Sequence, residues 1–330
     1  MASPIDPAEL TAAFGRIMAG EATPVQVAAV LVGLRVKGET GAELAAVVRA
    51  LQSVMVPLPA DDPASLVDTC GTGGGSVQTF NISTAAALLA AGTGVRIAKH
   101  GNRSFTTQCG SADVLEALGV RIEVPVAVMA RALRETGLVF MYAPLMHPAM
   151  RFVGPVRREL AIPTVMNIVG PLANPARAGR QVIGVGDADR APLLARALAE
   201  LGTVHAMVVH GEGMDEISPL GATRVLEVRD GTIEEWTIDP GTFGFAVASP
   251  AELAGGLPPA NARAILNVLE GRGAPGATAA VILNAAAALY VGGAAASYEE
   301  AITKADAALR EGKGLEALYR LRRAFATDDQ

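Results

Sequence analysis

The sequence predicts an α/β protein. It has a small N-terminal α-helical domain and a large α/β domain whose central, mostly parallel sheet is flanked by helices. Three observations carry this. Residues 6–56 show only helical spacing and helix caps. The stretch Pro57-Leu58-Pro59-Ala60-Asp61-Asp62-Pro63 is a linker by composition. From Leu66 onward short apolar runs alternate with helical stretches, as strands joined by crossover helices do. The domains are therefore residues 1–63 and 64–330.

In the first domain Asp6-Pro7 opens one helix and Thr23-Pro24 a second. Thr40, with Glu43 three residues on, opens a third. Leu31, Leu34 and Val36, then Leu44, Val47, Val48 and Leu51, recur at helical spacing and are the expected core positions. In the second domain the expected strands are Leu66–Thr69, Val95–Ala98, Val139–Tyr142, Gln181–Val185 and Ala206–His210. Helices are expected over 81–91 and 111–118, a β excursion over 225–238, and helices again over 258–272 and 276–291.

A chain of 330 residues with 51% hydrophobic and 4% aromatic residues is globular in composition. Its net charge of −6 argues against a general nucleic-acid binder, while leaving room for a local basic pocket. No run of about 18 apolar residues is free of charge or helix breakers, as a membrane span would be, and the N-terminal residues lack the pattern of a signal peptide, so the cytoplasm is the expected location. Cys70 and Cys109 are expected to be reduced thiols, and neither they nor the scattered His100, His147, His205 and His210 have metal-ligand spacing.

Between Asp68 and Glu116 three segments suit phosphate. Gly71-Thr72-Gly73-Gly74-Gly75-Ser76 follows a strand and bares backbone amides to an anion, although it has neither the P-loop ending nor dinucleotide spacing. Asn81-Ile82-Ser83-Thr84 stands at a helix start, where the same groups serve as caps or as phosphate and magnesium ligands. Lys99-His100-Gly101-Asn102-Arg103-Ser104 follows a strand and gathers two permanent cations, an amide and an imidazole around a glycine. Thr106, Thr107 and Ser111 extend the supply of hydroxyls.

Farther on, His147-Pro148 precedes Arg151, Arg157 and Arg158, a set that suits a carboxylate, and then Asn167-Ile168-Val169-Gly170-Pro171. Asp215-Glu216, after a strand and a turn, offers adjacent hard oxygens for magnesium bridged to phosphates.

In this order the segments GTGG, NIST, KHGNRS, GSADVLEALG, HPAM, VRREL, NIVGPLANP and HGEGMDEISP resemble the anthranilate phosphoribosyltransferases of tryptophan biosynthesis, from the N-terminal helices to Tyr290. The resemblance implies a nucleoside-phosphorylase-like fold, with helices from around 148–175 completing the small domain, and a homodimer formed through that domain. It implies magnesium-dependent transfer of phosphoribose from 5-phosphoribosyl-1-pyrophosphate (PRPP) to the amine of anthranilate. Gly71, Gly74, Gly75, Thr79, Asn81, Ile82, Ser83, Thr84, Lys99, His100, Gly101, Asn102, Arg103, Ser104, Thr106, Thr107 and Ser111 fall on the PRPP site. Ser83, Asp215 and Glu216 fall on metal positions, and Gly71, Asn102, His147, Arg157, Gly170 and Pro171 along the anthranilate site. Lys99, His100 and Arg157 are the residues expected to act in the reaction.

Two departures stand out. The family usually carries an aspartate after GTGG, where this chain has Gly75, and a Ser-Ser pair appears here as Thr106-Thr107. A pyrimidine nucleoside phosphorylase would share the fold and a Lys-Ser-Arg phosphate site, but not the His-Gly-Asn sequence or the His147…Arg157 segment. A non-catalytic, nucleic-acid-binding relative would show a basic surface and would not need Asp215-Glu216.

Overall fold

The computed structural model describes residues 3–104 and 108–326. Helices α1 (Pro7–Met18), α2 (Pro24–Lys37) and α3 (Gly41–Val54) begin where the caps predict. The Asp6 carboxylate accepts the amides of Ala8 and Glu9, while Thr23 with Gln26 and Thr40 with Glu43 form reciprocal capping boxes. Each cap stabilises its helix by about 1 kcal/mol. Glu43 does more, because its buried carboxylate also accepts the Ile5 amide and the Lys37 ammonium. Val36 departs from expectation. It is 81% exposed, because α2 is apolar on every side and turns only Val27, Leu31 and Leu34 inward.

The sheet has seven strands in the order β3-β2-β1-β4-β5-β6-β7. They are β1 (Val67–Gly71), β2 (Ile97–Gly101), β3 (Leu138–Tyr142), β4 (Arg180–Gly184), β5 (His205–His210), β6 (Thr223–Arg229) and β7 (Thr232–Ile238). The first five are parallel; β6 and β7 form the expected β excursion as an antiparallel hairpin at one edge. Exposed Glu234 and Glu235 on β7 discourage further strand addition there. The strand after the first crossover starts two residues later than predicted, so Lys99 and His100 lie in β2 itself and share its rigidity.

Successive residues of the inner strands enter different cores. Val182, Met207 and Val209 pack with helix α4 (Ile82–Gly92) and the helix Pro275–Val291. Ile183, Ala206 and Val208 pack with Leu194 and Leu198 of the helix Ala191–Glu200. Both faces are therefore covered, as a parallel sheet requires. The second core runs on into Phe14, Leu31 and Leu44 of the N-terminal helices and into Ala149, Val153, Val156, Val165 and Val169. Among the described residues no helix is long and apolar enough to cross a membrane.

Strand order reverses between β1 and β4, since β2 and β3 lie on one side of β1 and β4 and β5 on the other. In open α/β sheets ligands collect outside the carboxyl ends of the strands at such a point. The glycine loop leaves the sheet here.

Candidate active site

The glycine loop is tied to the segments that follow β4 and β5. The Thr72 amide donates to the Gly184 carbonyl at 2.9 Å, and Thr72 Oγ1 accepts the Gly186 amide at 3.1 Å. The Gly73 amide donates to Asp215 Oδ2 at 2.8 Å, and the Val77 amide to the Gly213 carbonyl at 3.1 Å. Gly73 and Gly74 turn with φ of +71° and +86°, a conformation that excludes most side chains. Gly71 is glycine for another reason: the Asp215 carboxylate occupies the space a Cβ would need.

Helix α4 begins shortly beyond Ser76 and meets the same acidic loop. The Ser83 amide donates to Glu216 Oε1 at 3.1 Å. Asn81 stands at the N-cap but its side chain does not cap the helix; it donates to the Cys109 carbonyl at 3.1 Å and accepts from Asn261 Nδ2 at 2.9 Å. The start of α4 is thus moored to neighbouring segments. Ile82 is buried in the core, Thr84 Oγ1 is buried without a partner among the described residues, and Thr79 bridges to Ala254.

Lys99, only 4% exposed, reaches across from β2. Its ammonium donates to the Thr69 carbonyl and, at 3.3 Å each, to Thr69 Oγ1 and Ser83 Oγ. Burial pushes the lysine pKa down, opposed by Asp68, Cys70 and Glu216. Burial pushes the Asp68 carboxyl up to about 6 against the pull of Lys99. Glu216 is driven up to about 8, by burial first and then by the charge of Asp215. A cation beside Asp215 and Glu216 would relieve that repulsion. Among the described residues no group of three or more His, Cys, Asp or Glu side chains could hold a metal. Two carboxylates and the Ser83 hydroxyl are hard oxygen donors, and they fit magnesium, which is commonly held by one or two carboxylates with substrate phosphates and water.

The segment after β2 folds onto helix α5 (Ser111–Ala117). Asp113 Oδ2 accepts the amides of Ser104 at 2.9 Å and Gly110 at 2.8 Å. The Arg103 guanidinium ion-pairs with Glu116 and Asp113 and donates to the Tyr142 hydroxyl at 3.2 Å, so its pKa is raised, first by Glu116. It faces the acids of α5 and does not join the cluster around Lys99. Asn102 Oδ1 accepts the Arg103 amide at 2.7 Å, and its carbonyl accepts the Ser111 hydroxyl at 3.4 Å. Gly101 ends β2, where a Cβ would run into the Ser111 hydroxyl and the Phe140 ring. Thr106 and Thr107 lie outside the described residues.

His147 lies against His100, with ring centroids 4.9 Å apart. Burial holds His147 down to about 4, and burial followed by His147 and Lys99 holds His100 well below its ordinary value. His100 Nε2 and both ring nitrogens of His147 have no hydrogen-bond partner among the described residues. Arg157, on the helix Gly154–Leu160, is half-buried, and burial lowers its pKa. Gly170 and Pro171 open the turn Gly170–Leu172, where the Pro171 carbonyl accepts Gln181 Nε2 at 2.9 Å. The structure brings the glycine loop, Ser83, Lys99, Asp215 and Glu216 into one hydrogen-bonded cluster. Among the described residues no hydrogen bond joins that cluster to Arg157.

Three polar residues of this region escape the sequence reading: Asp68, Asn174 and Asp113. A signal for Asp68 exists, since a carboxylate inside an apolar strand is rarely buried without a task. The signal for Asp113 is its place three residues beyond Gly110, where an acid receives free amides at a helix start.

Sequence models of the glycosyl transferase family match the chain twice: the helical bundle domain over residues 3–55 and the α/β domain over residues 63–315. The anthranilate phosphoribosyltransferase of Herpetosiphon aurantiacus is 47% identical over 315 residues, which cover 95% of this chain and 93% of that protein. The chain belongs to the anthranilate phosphoribosyltransferase family. The anthranilate phosphoribosyltransferase of Methanocorpusculum labreanum is 46% identical over 95% of this chain and 92% of its own. Among solved structures of the family, that from Thermus thermophilus superposes with a TM-score of 0.93 at 40% identity, covering 98% of this chain and 97% of that one. The Saccharomyces cerevisiae enzyme in complex with PRPP and Mg superposes at 0.88 with 26% identity, over 98% of this chain and 94% of that one.

Proposed function

We propose that this protein transfers the 5-phosphoribosyl group of PRPP to the amine of anthranilate, releasing pyrophosphate, with magnesium. One observation carries the reading. Gly73, Ser83, Lys99, Asp215 and Glu216, drawn from four segments up to 142 residues apart, are hydrogen-bonded into a single cluster at the switch point of the sheet. Amides, an ammonium, a hydroxyl and two carboxylates in one place suit a diphosphate carried with a divalent cation. Magnesium there would neutralise charge on the departing pyrophosphate.

The protein groups have separable tasks in this reading. The amides of the glycine loop and of Ser83, with the Lys99 ammonium, hold the diphosphate. Asp215, Glu216 and the Ser83 hydroxyl hold the metal. Arg157, buried enough to favour an anionic partner, holds the anthranilate carboxylate, with His100, His147, Asn102, Gly170 and Pro171 along its path. An aromatic amine is nucleophilic when neutral, so no strong base is demanded, and the neutral state of both histidines is compatible with that. Positioning and charge stabilisation carry the rate.

We also propose that the chain pairs with a second copy through its helical domain. Support comes from α2, whose apolar side chains Val25 and Val36 are 78% and 81% exposed. Light scattering of Val36→Glu against the parent protein tests this, and a monomeric parent protein would end it.

The activity is tested by the loss of anthranilate fluorescence on adding PRPP and magnesium. Lys99→Ala should lower the rate by roughly a hundred-fold or more, as removal of a charge-stabilising donor does. No turnover by the parent protein, or full turnover by Lys99→Ala, would refute the reading.

A further inference from the structure

We propose that Asp68 and Asn174 are positioning residues that fix Lys99 and His100 by bridging the open seam between β1 and β2. The inference rests on the phosphoribosyl transfer proposed above. Strand β1 pairs with β4 over five residues, and β2 with β3 over five, but the β1–β2 ladder has the single pair Val67–Ile97. Past that pair the ladder ends, and side chains take up the His100 amide and the Ala98 carbonyl that a ladder would use.

The His100 amide donates to Asp68 Oδ1 at 3.2 Å. The Asn174 amide nitrogen donates to Asp68 Oδ2 at 2.7 Å and to the Ala98 carbonyl at 2.8 Å. The Thr69 carbonyl accepts the Lys99 ammonium, which crosses the seam to reach Ser83. The orientation of Asn174 is fixed as well, because its carbonyl oxygen accepts the Ala176 amide at 2.9 Å. Both residues are sealed from water, Asp68 at 0% and Asn174 at 2% exposure.

This arrangement needs a carboxylate at position 68. Asp68 faces donors on both oxygens, and an ionised carboxylate is the side chain of that size that only accepts. An asparagine there would turn an N–H group toward either the His100 amide or the Asn174 amide. The clash of donors would shift β2 at His100 and at Lys99 beside it, whose ammonium holds the diphosphate. Asp68 also supplies the negative charge beside the buried Lys99. Asn174 acts one step farther out, since it locks the carboxylate in the plane that receives the His100 amide.

The test is steady-state turnover of PRPP and anthranilate by the parent protein, Asp68→Asn and Asn174→Ala, with thermal melts of each. Displacement of a reacting group by about 1 Å costs on the order of a hundred-fold in rate. Asp68→Asn should therefore lose roughly 10- to 100-fold in kcat with the anthranilate KM unchanged. Asn174→Ala, which keeps the charge, should lose less, also in kcat. A purely structural role predicts lower melting temperatures and an unchanged kcat per folded molecule, and that result would overturn the inference. Should Asp68→Asn not fold, Asn174→Ala decides alone by the same split between kcat and KM. Absence of turnover in the parent protein is a different failure: it would strike the proposed function and this inference with it.

Discussion

The carboxylate of Asp215 accepts the amide hydrogen of Gly73 at 2.8 Å, and beside it Glu216 accepts that of Ser83 at 3.1 Å. Two acids thus occupy amides that the proposed diphosphate would take, while the acids themselves are the groups a cation would take. Mg-bound PRPP would exchange partners within one cluster, and PRPP alone would leave two carboxylates facing its phosphates. Calorimetry should therefore show PRPP binding at least about ten-fold weaker without magnesium, equivalent to about 1.4 kcal/mol. Asp215→Asn should bind magnesium-PRPP more weakly and show a smaller dependence on the metal. Equal PRPP affinity with and without magnesium would count against these acids as metal ligands.

Gly75 sets a second expectation. A Cβ at this position would lie 2.8 Å from the Gly213 carbonyl oxygen, closer than such atoms approach, and 3.3 Å from Met214 Cα, tighter than most such contacts. The neighbouring contact is backbone, which cannot swing aside, so a side chain at 75 must push the 213–215 turn and Asp215 with it. Gly75→Asp should therefore weaken PRPP binding in this chain, although it restores the carboxylate that the family usually carries here. Tighter magnesium-PRPP binding by the variant would show that the turn yields at little cost.

The gap between sequence and structure has a physical pattern. The caps at Asp6, Thr23 and Thr40, the parallel strands implied by alternation, and the glycine and Lys99 segments are legible because each depends on local chemistry. Val36 reads as core from sequence because a helix that is apolar on all sides gives periodicity no direction. Strand β2 runs past its expected end at Ala98 to Gly101 because a buried lysine is an unfavourable strand residue unless partners elsewhere satisfy it, and Thr69 and Ser83 accept the Lys99 ammonium while Asp68 accepts the His100 amide. The engagement of Arg103 by Glu116 and the bond from Asn174 to Asp68 depend on tertiary approach, for which the local sequence carries no signal.

Arg157 is half-buried, yet no acceptor lies within hydrogen-bond reach of its guanidinium among the described residues, and burial lowers its pKa. A guanidinium so placed favours a planar carboxylate, which it binds through two parallel hydrogen bonds. Arg157→Ala should raise the anthranilate KM by about ten-fold or more, since a hydrogen bond to a charged group contributes roughly 1.5–3 kcal/mol. The PRPP KM should stay the same. Arg157→Lys should recover only part of the loss, because an ammonium lacks the planar fork. An anthranilate KM unchanged in Arg157→Ala would remove this residue from the site.

His147 makes stability depend on acid. Its pKa is held down to about 4 by burial, from an ordinary 6.5, and the ring is only 5% exposed. Between these values the unfolded chain binds a proton that the folded chain refuses. Stability therefore falls as pH drops from about 6.5 toward 4 and is unaffected by this group above that window. A displacement of this size corresponds to about 3 kcal/mol across the window. Asp68, pushed up to about 6, and Glu216, pushed up to about 8, act in the opposite sense below those values, and His100, held down by burial, acts in the same sense, so the total slope is not that of His147 alone. Comparison with His147→Gln cancels Asp68 and Glu216, which are present in both proteins, and reports His147 together with the part of the His100 shift that it causes. The melting temperature of the parent protein relative to the variant, measured at intervals from about pH 7.5 to 4.5, should fall as the pH drops below about 6.5 and stay constant above about pH 7. Parallel curves throughout would mean that the folded protein admits the proton, and that the pair of neutral rings at 4.9 Å is not held neutral by the fold.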